Sequence, residues 1–304
     1  MFRLAHISDI HFFSKISVPL SRLAGKRFTG LLNLMFHRRF THDPGLINML
    51  FQNLKSLGVN HIAITGDLTN LSLGIEFALV RNLLLDSGFS SRDISIIPGN
   101  HDRYTKGSEI QRRFEAYLSP FMTSDPNTDC EEGTYPFIRL RNGVAIIGLN
   151  SALHQPFLVA RGELGKEQIG RLRKCLLNRE VRKRFMVFLI HHPPYRHPRK
   201  HLHKIEGLQD YEDFLATVSN LPSLILHGHL HKNIFFQIGS DLSPVLISGV
   251  SSSTLKTKIG KSNASSFIIY GINEGKLVSI ERFILNRTKR TYERVEFDIE
   301  RLNF

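Results

Sequence analysis

The stretch Leu4-Ala5-His6-Ile7-Ser8-Asp9-Ile10-His11 joins an apolar run to two side chains that bind metals. Short apolar runs that end in a polar turn are typical of buried strands. The same unit recurs where Ile62-Ala63-Ile64 precedes Thr65-Gly66-Asp67. Apolar side chains at helical spacing follow each of these units, in residues 42–57 and 72–87. Strands that alternate with helices predict a layered α/β domain.

Three further apolar runs end in metal-binding side chains. They are Ile94-Ser95-Ile96-Ile97 before Asn100 and His101, Val187-Phe188-Leu189-Ile190 before His191, and Leu224-Ile225-Leu226 before His229 and His231. A sheet fixes the ends of its strands, and the loops that leave those ends can approach a ligand. Carboxylate, imidazole and amide groups gathered in this way predict a hydrolytic site with two metal ions.

The spacing within each cluster supports this interpretation. Residues two apart in an extended segment point to the same side, as in Asp9-Ile10-His11 and His229-Leu230-His231. The two oxygens of Asp67 could bridge two ions, and Asn100 offers a neutral ligand that leaves His101 to handle protons. Each cluster taken alone also fits a structural role, such as a turn aspartate or an asparagine that caps a helix. Five such clusters at five strand ends favour the metal site.

The size and composition of the chain indicate one domain. The 304 residues, 41% of them hydrophobic, can bury one large core, and no linker, repeat or low-complexity tract divides residues 1–304. Residues 1–8 are interpreted as a strand rather than a signal peptide, and no apolar run approaches the ~20 residues of a membrane span. Cys130 and Cys175 stand in unlike contexts and make no metal or redox motif. Reduced cysteines are expected in the cytoplasm.

The net charge of +13 predicts an anionic partner, such as a phosphate, a nucleic acid or an anionic membrane face. Two regions concentrate the charge. Between His11 and Thr41 there are six Lys/Arg and no acid, and the stretch from Arg161 to Lys204 has thirteen Lys/Arg against three acids. A solvated basic surface is the alternative interpretation. Specific nucleic-acid binding is not expected, because no basic motif carries interleaved aromatic side chains for base stacking.

The order of the clusters resembles a known family. The series is Asp9-x-His11, Gly66-Asp67, Gly99-Asn100-His101-Asp102, His191-x-Pro193 and Gly228-His229-x-His231. It resembles the calcineurin-like metallophosphoesterase superfamily motif for motif, and its bacterial, cyclic-nucleotide-phosphodiesterase-like branch in particular. The resemblance implies a four-layer αββα sandwich, in which two mixed β-sheets are flanked by helices and a dinuclear metal site lies at the strand ends.

The resemblance also implies roles for the site residues. One metal would be held by Asp9, His11, Asp67 and His231, and the other by Asp67, Asn100, His191 and His229, with Asp67 as the bridge. His191 is chosen over His192 because the family pattern is His-x-Pro. Nitrogen and oxygen ligands without thiolate fit manganese, iron or zinc. A hydroxide activated by the two metals would attack phosphorus, and His101 would protonate the leaving oxygen.

The substrate is less sharply defined by the sequence. The lead hypothesis is a phosphodiesterase or phosphatase that acts on a small phosphorylated metabolite, with cyclic nucleotides as candidates. Arg196 and Arg199 follow the His191 loop and could grip the substrate phosphate, although a solvated loop is equally compatible. After Asp67 the chain reads Leu68-Thr69-Asn70-Leu71, without the Asp-Arg pair that protein Ser/Thr phosphatases of the superfamily carry. A protein-phosphatase activity is therefore disfavoured.

Two regions lie outside these motifs. An insertion at about 12–42 includes residues 20–35, which place an apolar stripe beside basic side chains. It predicts a helical hairpin packed on the core or on a second subunit, or else an element that touches an anionic membrane. The membrane alternative suggests a pyrophosphatase of a nucleotide-linked lipid, and a non-catalytic phosphate or nucleic-acid binding module is the alternative of another class. Residues 244–304 predict antiparallel strands that complete the second sheet.

Overall fold

The computed structural model describes residues 1–12, 42–131, 133, 135–239, 243–256 and 264–296. The predictions for the insertion, including the helix at residues 20–35, lie outside these residues. The strands are β1 (Phe2–Ile7), β2 (His61–Ile64), β3 (Ile94–Ile96), β4 (Phe137–Arg141), β5 (Val144–Gly148), β6 (Phe185–Leu189), β7 (Ser223–His227), β8 (Ile234–Ile238), β9 (Val245–Gly249), β10 (Ser266–Asn273), β11 (Lys276–Asn286) and β12 (Thr291–Val295). The α-helices are α1 (Leu46–Ser56), α2 (Gly74–Leu85), α3 (Lys106–Ile110), α4 (Arg113–Leu118), α5 (Gly165–Leu176), α6 (Arg179–Arg182), α7 (Lys200–Glu206) and α8 (Tyr211–Val218).

The strands form two six-stranded mixed sheets. The first has the order β12-β11-β10-β1-β2-β3, with β1, β2 and β3 parallel and β10 antiparallel to β1. The second has the order β4-β5-β6-β7-β9-β8, with a parallel centre and antiparallel edges. This architecture confirms the predicted α/β fold of two mixed sheets.

Alternating side chains of the second sheet explain the layering. Val187 and Leu224 belong to the core that the two sheets share with α1 and α2. Their neighbours Phe188 and Ile225 point the other way and join the core against α5 and α8. Both faces of these central strands are therefore buried, as parallel strands require.

The strands near the chain's end extend the first sheet. β10 pairs with the edge of β1 that β2 leaves open, in the register Phe2 to Ile272 and Leu4 to Tyr270. The prediction that these strands complete the second sheet is wrong for β10, β11 and β12, because the open edge of β1 offers β10 its partner. Only β9 joins the second sheet, and it runs parallel to β7.

Two further features bear on the sequence-based predictions. Cys130 and Cys175 are free thiols, yet their Sγ atoms lie 3.2 Å apart, because the loop before β4 folds against α5. No sequence motif predicts this contact, because the two cysteines are 45 residues apart in the chain. Among the described residues, no helix combines the length and the apolar character that crossing a membrane requires.

Candidate metal centre

The predicted metal ligands lie in loops that leave the carboxyl ends of five strands. The loops after β1, β2 and β3 carry Asp9, His11, Asp67 and Asn100, and those after β6 and β7 carry His191, His229 and His231. The structure brings all seven side chains together. They form two groups on either side of Asp67, which we call the outer group (Asp9, His11, His231) and the inner group (Asn100, His191, His229).

The outer group is linked by short contacts between side chains. His231 Nε2 lies 3.2 Å from Asp9 Oδ1, and His11 Nε2 lies 3.2 Å from His231 Nε2. His11 Nε2 is also 3.7 Å from Asp67 Oδ2. Two imidazole nitrogens and two carboxylates are thus connected by a series of short contacts.

The inner group is arranged around the side-chain oxygen of Asn100. His191 Nε2 lies 3.1 Å from Asn100 Oδ1, and His229 Nδ1 lies 3.0 Å from the same oxygen. His191 Nε2 is 3.5 Å from Asp67 Oδ1. One oxygen of Asp67 therefore faces each group, the geometry that a bridging ligand needs.

The backbone of the ligand loops is unusual. Five of the seven residues have left-handed backbone conformations, namely Asp9 (φ 51°), His11 (φ 45°), Asp67 (φ 53°), His229 (φ 69°) and His231 (φ 51°). Such conformations are uncommon outside glycine and cluster at functional sites. Hydrogen bonds from Asp9 N to Gly66 O (3.0 Å) and from His11 N to Asp67 O (2.9 Å) continue the β1–β2 pairing into the loops. The sheet thus supports the conformations that aim the ligands.

Two glycines permit the loops to approach each other. A Cβ on Gly66, whose φ is 93°, would stand 2.6 Å from His191 Nδ1 and 2.7 Å from Gly99 N. A Cβ on Gly228 would stand 2.0 Å from Ser8 Oγ and 2.7 Å from Asp9 Oδ2. Real Cβ atoms do not come so close to other atoms, so Gly66 leaves room for the inner group and Gly228 for the outer.

The charges of the site suit cations. Burial raises the pKa of Asp67 to about 7, and burial together with the nearby His191 lowers the pKa of His229 to about 3. Burial opposes ionisation of Asp9, but the His231 ring beside it holds the pKa of that carboxyl well below its usual range. Among the described ion pairs, Asp9 and Asp67 have only histidine partners. Two buried carboxylates without a lysine or arginine fit a site for metal ions.

Hydrogen bonds set the tautomer of His191. Its Nδ1 donates to Thr65 O at 2.7 Å, so Nε2 presents a lone pair toward Asn100 and Asp67. The adjacent His192 is held differently, with Nδ1 bonded to Ser151 Oγ (2.8 Å) and Nε2 to Ala160 O (2.9 Å). Both nitrogens of His192 thus have protein partners, and the ring also lies in a group with His191 and His229 that is close enough to hold an ion. The choice of His191 over His192 stays a prediction.

His101, the predicted proton donor, lies directly against the centre. Its backbone N–H donates to Asp67 Oδ1 at 2.8 Å, and its ring stands edge-on to His11 at 5.2 Å between centroids. Its Nδ1 donates to the carbonyl oxygen of Asn70 at 2.9 Å, while the ring stacks on Tyr104. Asn70 thus orients His101 through its backbone carbonyl.

Asp102 serves the loop rather than the reaction. Its carboxylate accepts the backbone N–H groups of Leu68, Thr69 and Gly99 and the hydroxyl of Thr69. These four bonds tie the loop after β3 to the loop after β2. These contacts give Asp102 a role in orienting the two loops.

The two predicted substrate residues lie on the protein surface. Arg196 and Arg199 are exposed, and Arg199 precedes α7. Neither guanidinium makes a hydrogen bond or ion pair with another described side chain. Their role in gripping phosphate stays a prediction.

The family model described as calcineurin-like phosphoesterase matches residues 2–233. This chain belongs to the calcineurin-like phosphoesterases. It is therefore a hydrolase of a family that uses a dinuclear metal centre, and the predicted resemblance is confirmed.

Solved structures with this fold include two phosphatases. A dimetal phosphatase from Danio rerio shares 12% identity at a TM-score of 0.58, over 98% of this phosphoesterase and 99% of that chain. A purple acid phosphatase from yellow lupin seeds shares 12% identity at a TM-score of 0.62, over 99% of this phosphoesterase and 54% of that chain. At such identities the likeness concerns the fold alone. No curated protein sequence gives a significant match to this phosphoesterase.

One residue close to the metal centre was missed by the sequence motifs. The His42 ring stands edge-on to the His11 ring, with centroids 4.9 Å apart. His42 belongs to no motif, and its only sequence signal is its position at the end of the insertion.

Proposed function

We propose that this protein is a dinuclear metal-dependent phosphoesterase that hydrolyses a small phosphorylated substrate. The observation that supports it best is the position of Asp67, whose Oδ2 faces the outer group and whose Oδ1 faces the inner group. A carboxylate placed in this way can hold two cations at once.

Each metal would have protein ligands of mixed type. The outer group with Asp67 Oδ2 would hold one ion, and the inner group with Asp67 Oδ1 would hold the other. This donor set without thiolate suits manganese, iron or zinc. When bound, two such cations supply a water of lowered pKa and neutralise charge that develops on the phosphate.

His101 is proposed to supply the proton that the leaving oxygen needs. The bond from Nδ1 to Asn70 O fixes the ring and leaves Nε2 as the atom that carries the transferred proton. The hydrogen bond from the His101 backbone N–H to Asp67 Oδ1 keeps this residue beside the centre. A positioned general acid of this kind contributes roughly 10²–10⁴-fold to the rate.

Small phosphorylated metabolites, including cyclic nucleotides, are the proposed substrates. Arg196 and Arg199 are the candidates for holding a phosphate oxygen. The alternative of a nucleotide-linked lipid substrate depends on the insertion at about 12–42, which lies outside the described residues, so it stays a prediction. A non-catalytic binding module does not account for the complete donor set.

The proposal is tested by hydrolysis of an aryl phosphodiester and an aryl phosphomonoester by the full chain loaded with Mn²⁺. Asp67→Ala should lower kcat/KM by roughly 10³-fold or more, since both metals lose a ligand. Asp213→Ala, on the exposed face of α8, is the matched control and should leave the rate unchanged. Activity that survives both chelation and Asp67→Ala would falsify the proposal.

A further inference from the structure

His42 forms a compact cluster with two members of the outer group. Its ring stands edge-on to His11 at 4.9 Å and to His231 at 5.8 Å between centroids. One ring nitrogen from each of the three residues lies within 4.8 Å of the other two. The His42 side chain is 3% exposed, so these contacts lie inside the protein. Three imidazoles gathered in this way are a common nitrogen set for a metal ion.

Hydrogen bonds define the tautomer of His42. His42 Nδ1 lies 2.9 Å from Thr254 Oγ1 and 3.3 Å from Ser252 Oγ. The hydroxyl of Thr254 donates to Ile10 O at 2.7 Å, and that of Ser252 donates to Asp9 O at 2.6 Å. Because both hydroxyl protons are committed to backbone carbonyls, the two oxygens accept from His42 Nδ1–H. The lone pair of the neutral ring is therefore on Nε2, the tautomer that binds metals.

The ring has a structural role through Nδ1, which bonds to Ser252 and Thr254. The backbone beside His42 is also attached to that segment, through a β-bridge to Leu255 and a bond from Asp43 N to Thr254 O at 2.8 Å. The attachment therefore does not depend on the imidazole alone. The same ring packs against His11 and His231, the two histidines of the outer group.

We propose that Nε2 of His42 is a further protein ligand to the metal ion of the outer group, additional to the seven ligands of the sequence motifs. This inference rests on the proposed dinuclear function. It gives the outer ion three imidazoles, where the inner ion has two and an amide.

The test is titration of the metal-free full chain with Co²⁺, followed by metal content and visible absorption. The key variant is His42→Asn, because its amide N–H can replace Nδ1–H as the donor to Thr254 while nothing replaces Nε2. We expect two Co²⁺ per wild-type chain and about 10–100-fold weaker binding of one ion in His42→Asn. The visible absorption should change, since it reports coordination geometry. His42→Gln, whose amide oxygen reaches toward the position of Nε2, should restore part of the affinity.

His201→Asn is the control, since His201 is an exposed histidine of α7 and its removal should alter neither affinity nor spectrum. If His42→Asn binds two ions with wild-type affinity and spectrum, His42 is not a ligand and the dinuclear proposal stands. If the wild type binds no Co²⁺, both proposals fail. Should the variants fold poorly, the ¹⁵N resonance of His42 Nε2 in the wild type decides the question: it shifts on Zn²⁺ addition if His42 binds, and an unshifted resonance overturns the proposal.

A second inference comes from the two cysteines, which lie away from the metal centre. The Sγ atoms of Cys130 and Cys175 are in contact at 3.2 Å. They would have to approach by about 1 Å to reach the ~2.05 Å of a disulfide bond. Cys130 lines a cavity of about 420 Å³ together with Met122, Asp125 and Asp129, so a small oxidant can reach it. Cys175, in contrast, is buried in α5.

We infer that Cys130 and Cys175 are an oxidation site that closes to an intrachain disulfide when a peroxide is present. The Cys130 thiolate attacks one peroxide oxygen and becomes a sulfenic acid as hydroxide leaves. The Cys175 sulfur then attacks the Cys130 sulfur and displaces the sulfenic-acid oxygen, which leaves as water. The two thiols together lose two electrons and two protons, and hydrogen peroxide is reduced to two waters.

Mass spectrometry of the full chain after hydrogen peroxide treatment tests this inference. We expect a loss of two hydrogens, a linked peptide pair containing Cys130 and Cys175, and reversal by a dithiol reductant. In Cys175→Ser, a sulfenic-acid trap should instead label Cys130. Recovery of both thiols in alkylatable form, or separate overoxidation of each without a linked pair, would overturn it.

Discussion

The inner and outer groups of the metal centre offer the same kinds of donor atom but are held in different ways. In the inner group, the fully buried His191 is anchored by a backbone carbonyl that directly follows β2, and Asn100 and His191 have ordinary backbone conformations. In the outer group, all three residues have left-handed backbone conformations, and the His231 side chain is 27% exposed. Its extra neighbour His42 is held by hydroxyl groups from residues 252–254. Left-handed backbone conformations thus occur in every residue of the outer group but only in His229 of the inner group.

This comparison predicts the largest effect for loss of a ligand from the inner group. His191→Ala should lower kcat/KM by roughly 10³-fold, because the ring is fully buried and the nitrogens of the neighbouring His192 are bonded to Ser151 and Ala160. The purified variant should retain about one metal equivalent, held by the outer group. Metal analysis beside kinetics checks both statements, and retention of two equivalents would show that the groups are not separate sites.

His101→Ala should remove proton transfer without removing either metal. We expect a loss of roughly 10²–10⁴-fold with an alkyl leaving group. The loss should be smaller with p-nitrophenolate, which leaves without a proton. An equal loss for both substrates, or a fall in metal content, would assign His101 a role in holding the centre instead.

Substitution of Gly66 and Gly228 should affect the two groups separately, in both protein stability and metal affinity. Gly66→Ala places a Cβ against His191 Nδ1 at a φ of 93°, so it should cost about 2–3 kcal/mol of unfolding free energy and weaken the inner ion. Gly228→Ala crowds Ser8 and Asp9 and should weaken the outer ion. Urea unfolding and metal titration of both variants provide the measurement, with Gly107→Ala, whose Cβ meets nothing, as the control.

The smallest expected effect is a loss of protein stability at acid pH, which comes from the buried histidines His6 and His227. Burial lowers the pKa of His6 to about 3 and that of His227 to about 4. Because the unfolded state binds these protons at pH 6.5 and the folded state does not, stability should be full above pH 7 and decline as the pH falls from 6.5 toward 4. Each ring should contribute a loss of about 2 kcal/mol at pH 5.

Urea unfolding of the metal-free chain at pH 7.5 and pH 5 measures the decline. In His6→Gln the loss of unfolding free energy between pH 7.5 and pH 5 should be smaller by the contribution of one ring, about 2 kcal/mol. A wild-type stability that is equal at both pH values would contradict the prediction.

The fold and the convergence of the seven candidate ligands were predictable because both follow from local patterns. A buried strand followed by Asp, His or Asn can be recognised within about ten residues of sequence. The parallel arrangement of such strands brings their ends together. His42 could not be found in this way, because its tautomer depends on Ser252 and Thr254, more than 200 residues away. The pairing of β10 with β1 was missed for the same reason.

Arg139 illustrates another limit of sequence patterns. An arginine in β4 suggests a solvent-facing position, yet Arg139 is buried and donates to five backbone carbonyls, those of Ser91, Arg92, Ile94, Pro120 and Thr123. Ser91 and Arg92 lie in the short 3-10 turn before β3, Ile94 begins β3, Pro120 lies in a second 3-10 turn, and Thr123 follows that turn. Only the folded chain shows that one buried side chain joins these segments.

The left-handed backbone of the ligand loops has a consequence for how metals enter the protein. The β1–β2 pairing continues through the backbone bonds of Asp9 and His11, so the sheet supports these conformations without help from an ion. We therefore expect metal exchange without unfolding, unlike in small zinc domains that fold only around their ion. The occupancy of the centre would follow the ions that the cell keeps available, and the same chain could work with different metals as that supply changes.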